Sequence, residues 1–226
     1  MTELLTPDFI HAIKDYYLLL DKEYPQKGIF KLTTNRYKLN KAQRVLLYRG
    51  VFSLQLAKIR KEKRTDEILG PCLHIDTYNV LFTISNYLFG RIVFLSNDGF
   101  LRDAGEIFGK IQTEKIFFRS LDLLIEYLKG KNPQAVIFYI DDPLDFSKKL
   151  SLLLKSRLKD INLTGDVKIV KSPDNELTKL KEGTISTSDS GIIDKAEIKI
   201  FDIARNLLEE KFTPEFLDFN KYINPK

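Results

Sequence analysis

From Pro71 onward the chain alternates short apolar runs with amphipathic stretches. The runs fall at residues 72–75, 92–95, 135–140, 167–170, 184–186 and 198–201. The stretches of helical spacing fall at 80–88, 121–129, 146–158 and 203–210. Runs apolar on both faces, separated by helix-length segments, specify strands covered on both sides, the pattern of a mostly parallel sheet. Right-handed crossovers bring the C-terminal ends of parallel strands to one edge. The expected fold class is therefore α/β, a mostly parallel sheet flanked by helices, over residues 72–212.

Residues 1–68 read as a small helical domain in front of it. Thr6-Pro7-Asp8 is a helix start, with a capping hydroxyl, Pro in the first turn and an acid beside it. Phe9, Ile10, Ile13, Tyr16, Tyr17 and Leu20 follow at helical spacing until Pro25 and Gly28 interrupt. A second helix starts near Asn40, with Gln43 placed for a capping box. Val45, Tyr48, Phe52, Leu56 and Ile59 share one of its faces, so Tyr48 is expected in the core. Gly70-Pro71 closes the helical region. Residues 213–226 read as a tail or a short packing segment.

The net charge of +5 is unevenly spread. Eleven Lys and Arg against the single acid Glu62 occupy residues 31–64, while the segments on either side are slightly acidic. Arg36, Arg44, Arg49, Lys58 and Arg60 of this run are candidate phosphate contacts, and Tyr37 and Tyr48 are candidates for stacking on bases. The competing reading of the run is a solvated helix face.

One cysteine, Cys72, excludes an internal disulfide and a Cys-rich zinc site. The first twenty residues contain no signal peptide. The most apolar stretch, residues 80–95, is broken by Ser85, Asn86, Gly90 and Arg91, too polar to span a bilayer. A soluble, cytoplasmic protein without membrane contacts is expected.

The chemistry lies at the strand ends. The first apolar run leads into Asp76, the second into Asp98, the third into Asp141 and Asp142, and the fifth into Ser188-Asp189. On a parallel sheet these acids meet where open α/β sheets bind ligands. Crowded carboxylates need a cation or raised pKa values. Oxygen donors suit Mg²⁺ or Mn²⁺, and two histidines and one cysteine are too few for zinc. Taken singly, Asp76 and Asp189 are equally well read as caps of the helices that follow them. His74 reads as a packed residue, and Asn97-Asp98-Gly99 as a turn.

Ile75-Asp76-Thr77-Tyr78-Asn79-Val80-Leu81 resembles the opening motif of the PIN-like nuclease superfamily, particularly its NYN branch. Thr187-Ser188-Asp189-Ser190 is similar to that family's second metal-binding motif, and Asp194 to an additional acid of some members. Ser96–Asp103 carries an acid pair, Asp98 and Asp103, such as these nucleases have, although directly after a strand rather than on a helix. The resemblance covers roughly residues 72–205. The whole chain also resembles an uncharacterised, largely archaeal family, through Arg36-Tyr37-Lys38-Leu39 and Leu47-Tyr48-Arg49-Gly50-Val51.

The resemblance implies a divalent-metal-dependent ribonuclease. Asp76, Asp98, Asp141, Asp142 and Asp189 are the candidate Mg²⁺ or Mn²⁺ ligands, with Asp76, Asp98, Asp141 and Asp189 catalytic. Asn79, Ser188, Asp103 and Asp194 would support them, and Arg102 would reach a phosphate or pair with Asp98 or Asp103. RNA is the implied partner, and a homodimer is open. Two other readings stand beside it. One is a non-catalytic RNA-binding protein on a degenerate scaffold. The other is a phosphotransferase or phosphatase with the first-strand acid, Asp76, as nucleophile, disfavoured because Tyr78 stands where such families carry a second Asp.

Overall fold

A computed structural model of the chain describes residues 4–105, 114–142 and 147–223. The chain opens with α1 (Pro7–Asp21), α2 (Gln26–Arg36), α3 (Lys41–Gly50) and α4 (Leu54–Lys63). Next come β1 (Arg64–Thr65), β2 (Leu73–Asp76), α5 (Thr77–Leu88), β3 (Val93–Leu95), β4 (Leu101–Asp103) and α6 (Glu114–Lys131). Then follow β5 (Val136–Asp141), α7 (Ser147–Asp160), β6 (Gly165–Val170), α8 (Pro173–Leu177) and β7 (Thr184–Ser186). The last elements are α9 (Ser190–Lys195), β8 (Ile200–Phe201), α10 (Ile203–Phe212), β9 (Leu217–Asp218) and α11 (Asn220–Ile223). Residue 146, where one helix was expected to begin, lies outside the described residues.

By contacts the chain divides into two compact units. The first comprises residues 1–61, 90–110 and 215–226, and the second residues 62–89 and 111–214. Segments that the sequence pattern assigns to the α/β domain and to a tail thus cluster with the N-terminal helices.

In the first unit Thr6 caps α1, its hydroxyl accepting the Phe9 N–H at 3.2 Å. Asn40 and Gln43 form the expected capping box on α3. Pro25 does not end helical structure but stands immediately before α2, where its fixed φ favours a helix start. The helix expected from Asn40 onward is two helices, broken at residues 51–53. That break resets the helical phase: α3 buries Gln43, Leu46, Leu47 and Gly50, while Tyr48 is 51% exposed instead of being core. Phe9, Ile13, Tyr16, Leu46, Leu47, Val51, Phe94 and Phe219 build the core.

The second apolar run does not join the parallel sheet. β3 pairs antiparallel with β4 and parallel with β9, giving a separate sheet in the order β4-β3-β9. Asn97-Asp98-Gly99 lies in the hairpin turn between β3 and β4. Gly99 adopts φ +86 there, a left-handed conformation that glycine takes at no steric cost.

The second unit holds a six-stranded, all-parallel sheet in the order β1-β8-β7-β2-β5-β6. Helices flank it. α5 contacts β2, β5, α6 and α10, and α7 contacts β5 and β6. The central strand β2 is buried along its whole length, as expected of a strand covered on both faces. From β2 the chain moves outward through β5 to β6, then returns to the other side of β2 as β7 and β8. The topology reverses between β2 and β7, and the carboxyl ends of those two strands border the crevice where open α/β sheets bind ligands. Among the described residues, no helix is long and apolar enough to cross a membrane.

Candidate functional site

β2 delivers Asp76 to that crevice, and β7 delivers Thr187, Ser188 and Asp189. Asp76 occupies the cap position of α5, yet its carboxylate makes no cap hydrogen bond. It accepts instead from the Thr187 hydroxyl at 2.8 Å. The same hydroxyl oxygen accepts the Asp189 N–H at 3.1 Å. Asn79, in the first turn of α5, accepts from the Ser188 N–H at 2.8 Å and the Ser188 hydroxyl at 3.1 Å. Two short segments more than 100 residues apart are thereby tied together by side-chain hydrogen bonds.

Burial pushes the Asp76 carboxyl up to about 7, against the partial relief of its Thr187 hydrogen bond, and the charges of Asp189, Asp174 and Asp141 add to the rise. Asp141, at the end of β5, is also raised, by partial burial and by Asp174. Asp142 is exposed, and its N–H is bonded to the Val170 carbonyl at 2.9 Å. Asp189 caps α9, accepting the Gly191 and Ile192 N–H groups at 2.7 and 3.2 Å. Its role as a cap is therefore real, and it coexists with its effect on Asp76. Asp194 is exposed on α9, where its carbonyl accepts the Lys63 ammonium at 2.8 Å.

Asp174 is the member of this group that the sequence reading missed. It sits in the first turn of α8, which contacts β2, β5 and α9. Partial burial and the Asp189 charge raise its carboxyl. Ser172-Pro173 before it looks like an ordinary helix start, and Ser172 does cap α8, so only the strand order reveals that this helix start lies at the acidic edge. Two buried hydroxyls at the same strand ends, Thr77 and Ser186, have no hydrogen-bond partner among the described residues. Buried polar groups are nearly always paired, so these two hydroxyls are exceptions at the strand ends.

Asp98 and Asp103 do not belong to this group. Both lie in the first unit. The Asp98 carboxylate is saturated: Arg102 binds both its oxygens at 2.7 and 2.9 Å, Arg60 binds one at 3.0 Å, and Ser96 donates to it at 2.5 Å. Asp103 accepts the Gly105 N–H at 2.7 Å. The hairpin turn, which keeps β3 out of the parallel sheet, is the reason.

Four of the six proposed RNA contacts, Arg44, Arg49, Arg60 and Arg102, are engaged inside the first unit instead. Arg60 and Arg102 are 3% and 1% exposed, and both guanidinium groups lie over the Phe52 ring. Arg44 donates to Leu39, Thr34 and Asn35, and Arg49 to the Asp103 carbonyl at 2.8 Å. These arginines hold the first unit together. Arg36 and Lys58 remain exposed. Tyr37 donates to Asp15 at 2.6 Å. His74 is packed as expected, with Nδ1 3.2 Å from the Tyr139 hydroxyl, and burial lowers its pKa.

A family described as a domain of unknown function (DUF5616) matches residues 65–206, well over half the chain. The chain belongs to this family. The DUF5616 match ends inside α10 and contains Asp76, Asp141, Asp174 and Asp189. A protein family of unknown function (DUF434) matches residues 8–63, from the first turn of α1 to the end of α4. An uncharacterised protein of Methanocaldococcus jannaschii is 31% identical over 201 residues, spanning 88% of this chain and 95% of its own length. No solved structure matches the chain.

Proposed function

We propose that the second unit is a divalent-metal-dependent ribonuclease acting at the carboxyl ends of β2, β5 and β7. The observation that carries this reading is the state of Asp76. It is a carboxylate 7% exposed, without a cationic partner among the described residues, at the point where the sheet topology reverses, its proton held to about 7. A fold that leaves such a group uncompensated keeps it for a ligand more often than for stability.

The donor chemistry fits a hard cation. Asp76, Asp141, Asp174 and Asp189 offer only carboxylate oxygens, the charges of Asp189, Asp174 and Asp141 disfavour ionisation of Asp76, and the orphaned Thr77 and Ser186 hydroxyls lie at the same strand ends. Mg²⁺ or Mn²⁺ would be held by Asp76 with Asp189, Asp174 and Asp141. When bound, such an ion acidifies water and offsets charge on a phosphodiester. The protein's own share is positioning. Thr187 orients Asp76, the Asn79–Ser188 pair fixes the two strand ends relative to each other, and ionisation of Asp76 is coupled to cation binding.

The competing reading is a non-catalytic RNA-binding protein. It is favoured by one observation: among the described residues, no three His, Cys, Asp or Glu side chains are gathered as a ready-made metal cage. Incubating the protein with labelled RNA in Mn²⁺, in Mg²⁺ and in EDTA, with Asp76→Asn in parallel, separates the two. Metal-dependent cleavage lost in the variant is the expected result. RNA binding without cleavage in either metal would replace the ribonuclease reading by the other.

A further inference from the structure

Strand β6 ends the parallel sheet, with β5 on one side of it and no strand on the other among the described residues. It runs for six residues, whereas β1 at the opposite edge has two. Its register with β5 is unbroken, so neither a bulge nor a proline blunts it as an edge. The Val136 and Asp142 N–H groups donate to the Thr164 and Val170 carbonyls at 3.0 and 2.9 Å. With Val136 beside Gly165 in the register, alternate residues of β6 turn inward to β5. Gly165, Val167 and Ile169 therefore direct their N–H and C=O groups outward. The Val167 N–H confirms the direction: lacking a strand, it donates to the carboxylate of its own neighbour, Asp166, at 2.7 Å.

The side chains along this edge are of opposite sign. Asp166 and Lys168 are both exposed, two residues apart and so on one face of the strand. Lys168 has no salt bridge among the described residues, and its ammonium lies 5.6 Å from the centre of the Tyr139 ring. Helix α7 packs on β6, and its Lys155 reaches Asp166 at 3.1 Å. Leu152 stands three residues before Lys155, on the same side of the helix. It is 72% exposed, more than any other large apolar side chain among the described residues.

We propose that β6 pairs with β6 of a second copy of this chain, antiparallel about a two-fold axis through Val167, joining two six-stranded sheets into one. Hydrogen bonding and charge choose this register together. An axis between two residues sets an outward residue against an inward one and leaves the bonds unmade. An axis at Asp166 opposes two carboxylates, and an axis at Lys168 opposes two ammonium groups. The axis at Val167 sets each Asp166 opposite Lys168 of the second copy, and symmetry makes the pair twice. Val167 then faces Val167, and Gly165 faces Ile169, so the outward N–H and C=O groups are met. The Val167 N–H exchanges the Asp166 carboxylate for a carbonyl of the second copy. The same axis brings Leu152 of each copy toward the seam. Such a dimer needs neither metal nor RNA.

Sedimentation equilibrium of the full chain over a concentration series is the test, and a reversible monomer–dimer equilibrium is expected. Val167→Pro removes an outward N–H without touching the bonds to β5. It should sediment as a monomer while keeping the wild-type circular dichroism. Asp166→Lys alone and Lys168→Asp alone set like charges face to face, and each should weaken the dimer about tenfold. The two together restore opposite charges and should restore the wild-type constant. These charge variants lie on the surface and decide the matter even if Val167→Pro loses its fold. A wild-type chain that stays monomeric at every concentration overturns the dimer. A dimer indifferent to Val167→Pro and to both single charge reversals lies elsewhere on the surface and overturns the β6 seam. Loss in the single reversals without rescue in the double variant overturns the register.

Discussion

Asp98 in the first unit and Asp76 in the second are both withdrawn from water, 0% and 7% exposed, and both follow a short apolar strand. Burial resists ionisation of each. At Asp98 it is outweighed by the charge and hydrogen bonds of Arg102, the Ser96 hydrogen bond and the Arg60 charge, and the carboxyl falls to about 2. At Asp76 a single hydroxyl is set against burial and three acids, and the carboxyl stays up at about 7. The difference shows what each unit does with a buried charge. The first closes it into a network that joins α4 to the β3–β4 hairpin. The second leaves it without a counter-charge among the described residues.

Substitution should therefore have opposite signs at the two positions. Asp98→Asn strands two buried guanidinium groups without their counter-charge, and a loss of about 3–5 kcal/mol is expected in denaturant unfolding at neutral pH. Asp76→Asn should raise stability at pH 8, by about 2–4 kcal/mol. The folded state holds the Asp76 proton to about 7, whereas the unfolded chain releases it near 4, so stability declines as pH rises through that window. The amide removes this decline and still accepts from Thr187. Equal destabilisation by both variants would erase the contrast.

Divalent cations sharpen it further. Mn²⁺ at a hundredfold excess over its dissociation constant should stabilise the wild-type second unit by about 2.7 kcal/mol and leave Asp76→Asn unmoved. Asp98 acts in the opposite pH range. Its depressed pKa contributes stability above about pH 4 that is lost as pH falls toward 2, on the order of 2 kcal/mol. An acid titration of unfolding free energy should show this component in the wild type and lack it in Asp98→Asn.

The contrast was only half legible in the sequence, for a local reason. Residues 72–75, 135–140 and 184–186 announce themselves as strands because a strand buried on both faces has no polar alternation to disguise it. β1, β8 and β9 have two residues each, too short to leave a period. Asn97-Asp98-Gly99 carries a hairpin signal, and giving weight to its turn would have taken Asp98 out of the parallel sheet. Arg60 sits in a basic run that looks solvated, and its partner is 38 residues away, beyond any local pattern. Tyr48 was misplaced because one helical phase was carried across the break at residues 51–53. Asp76, Asn79, Ser188 and Asp189 were legible because each stands beside a strand end, where the topology and not the neighbours decides what meets. Asp174 follows a strand by four residues and wears the signals of a helix cap, so it became visible only with the strand order.

Thr187 offers the smallest and most discriminating change. Its hydroxyl gives the hydrogen bond by which the protein favours the charged form of Asp76. Thr187→Val keeps the shape and removes that donor, so the Asp76 carboxyl should titrate about one pH unit higher, equivalent to about 1.4 kcal/mol. Carboxyl-carbon NMR of labelled aspartate reads the shift directly. A higher titration with no shift at Asp98 places the control of Asp76 in the junction between β2 and β7. An unchanged titration would mean that burial and the neighbouring acids alone set its proton, and that Thr187 serves only to hold the Asp189 N–H.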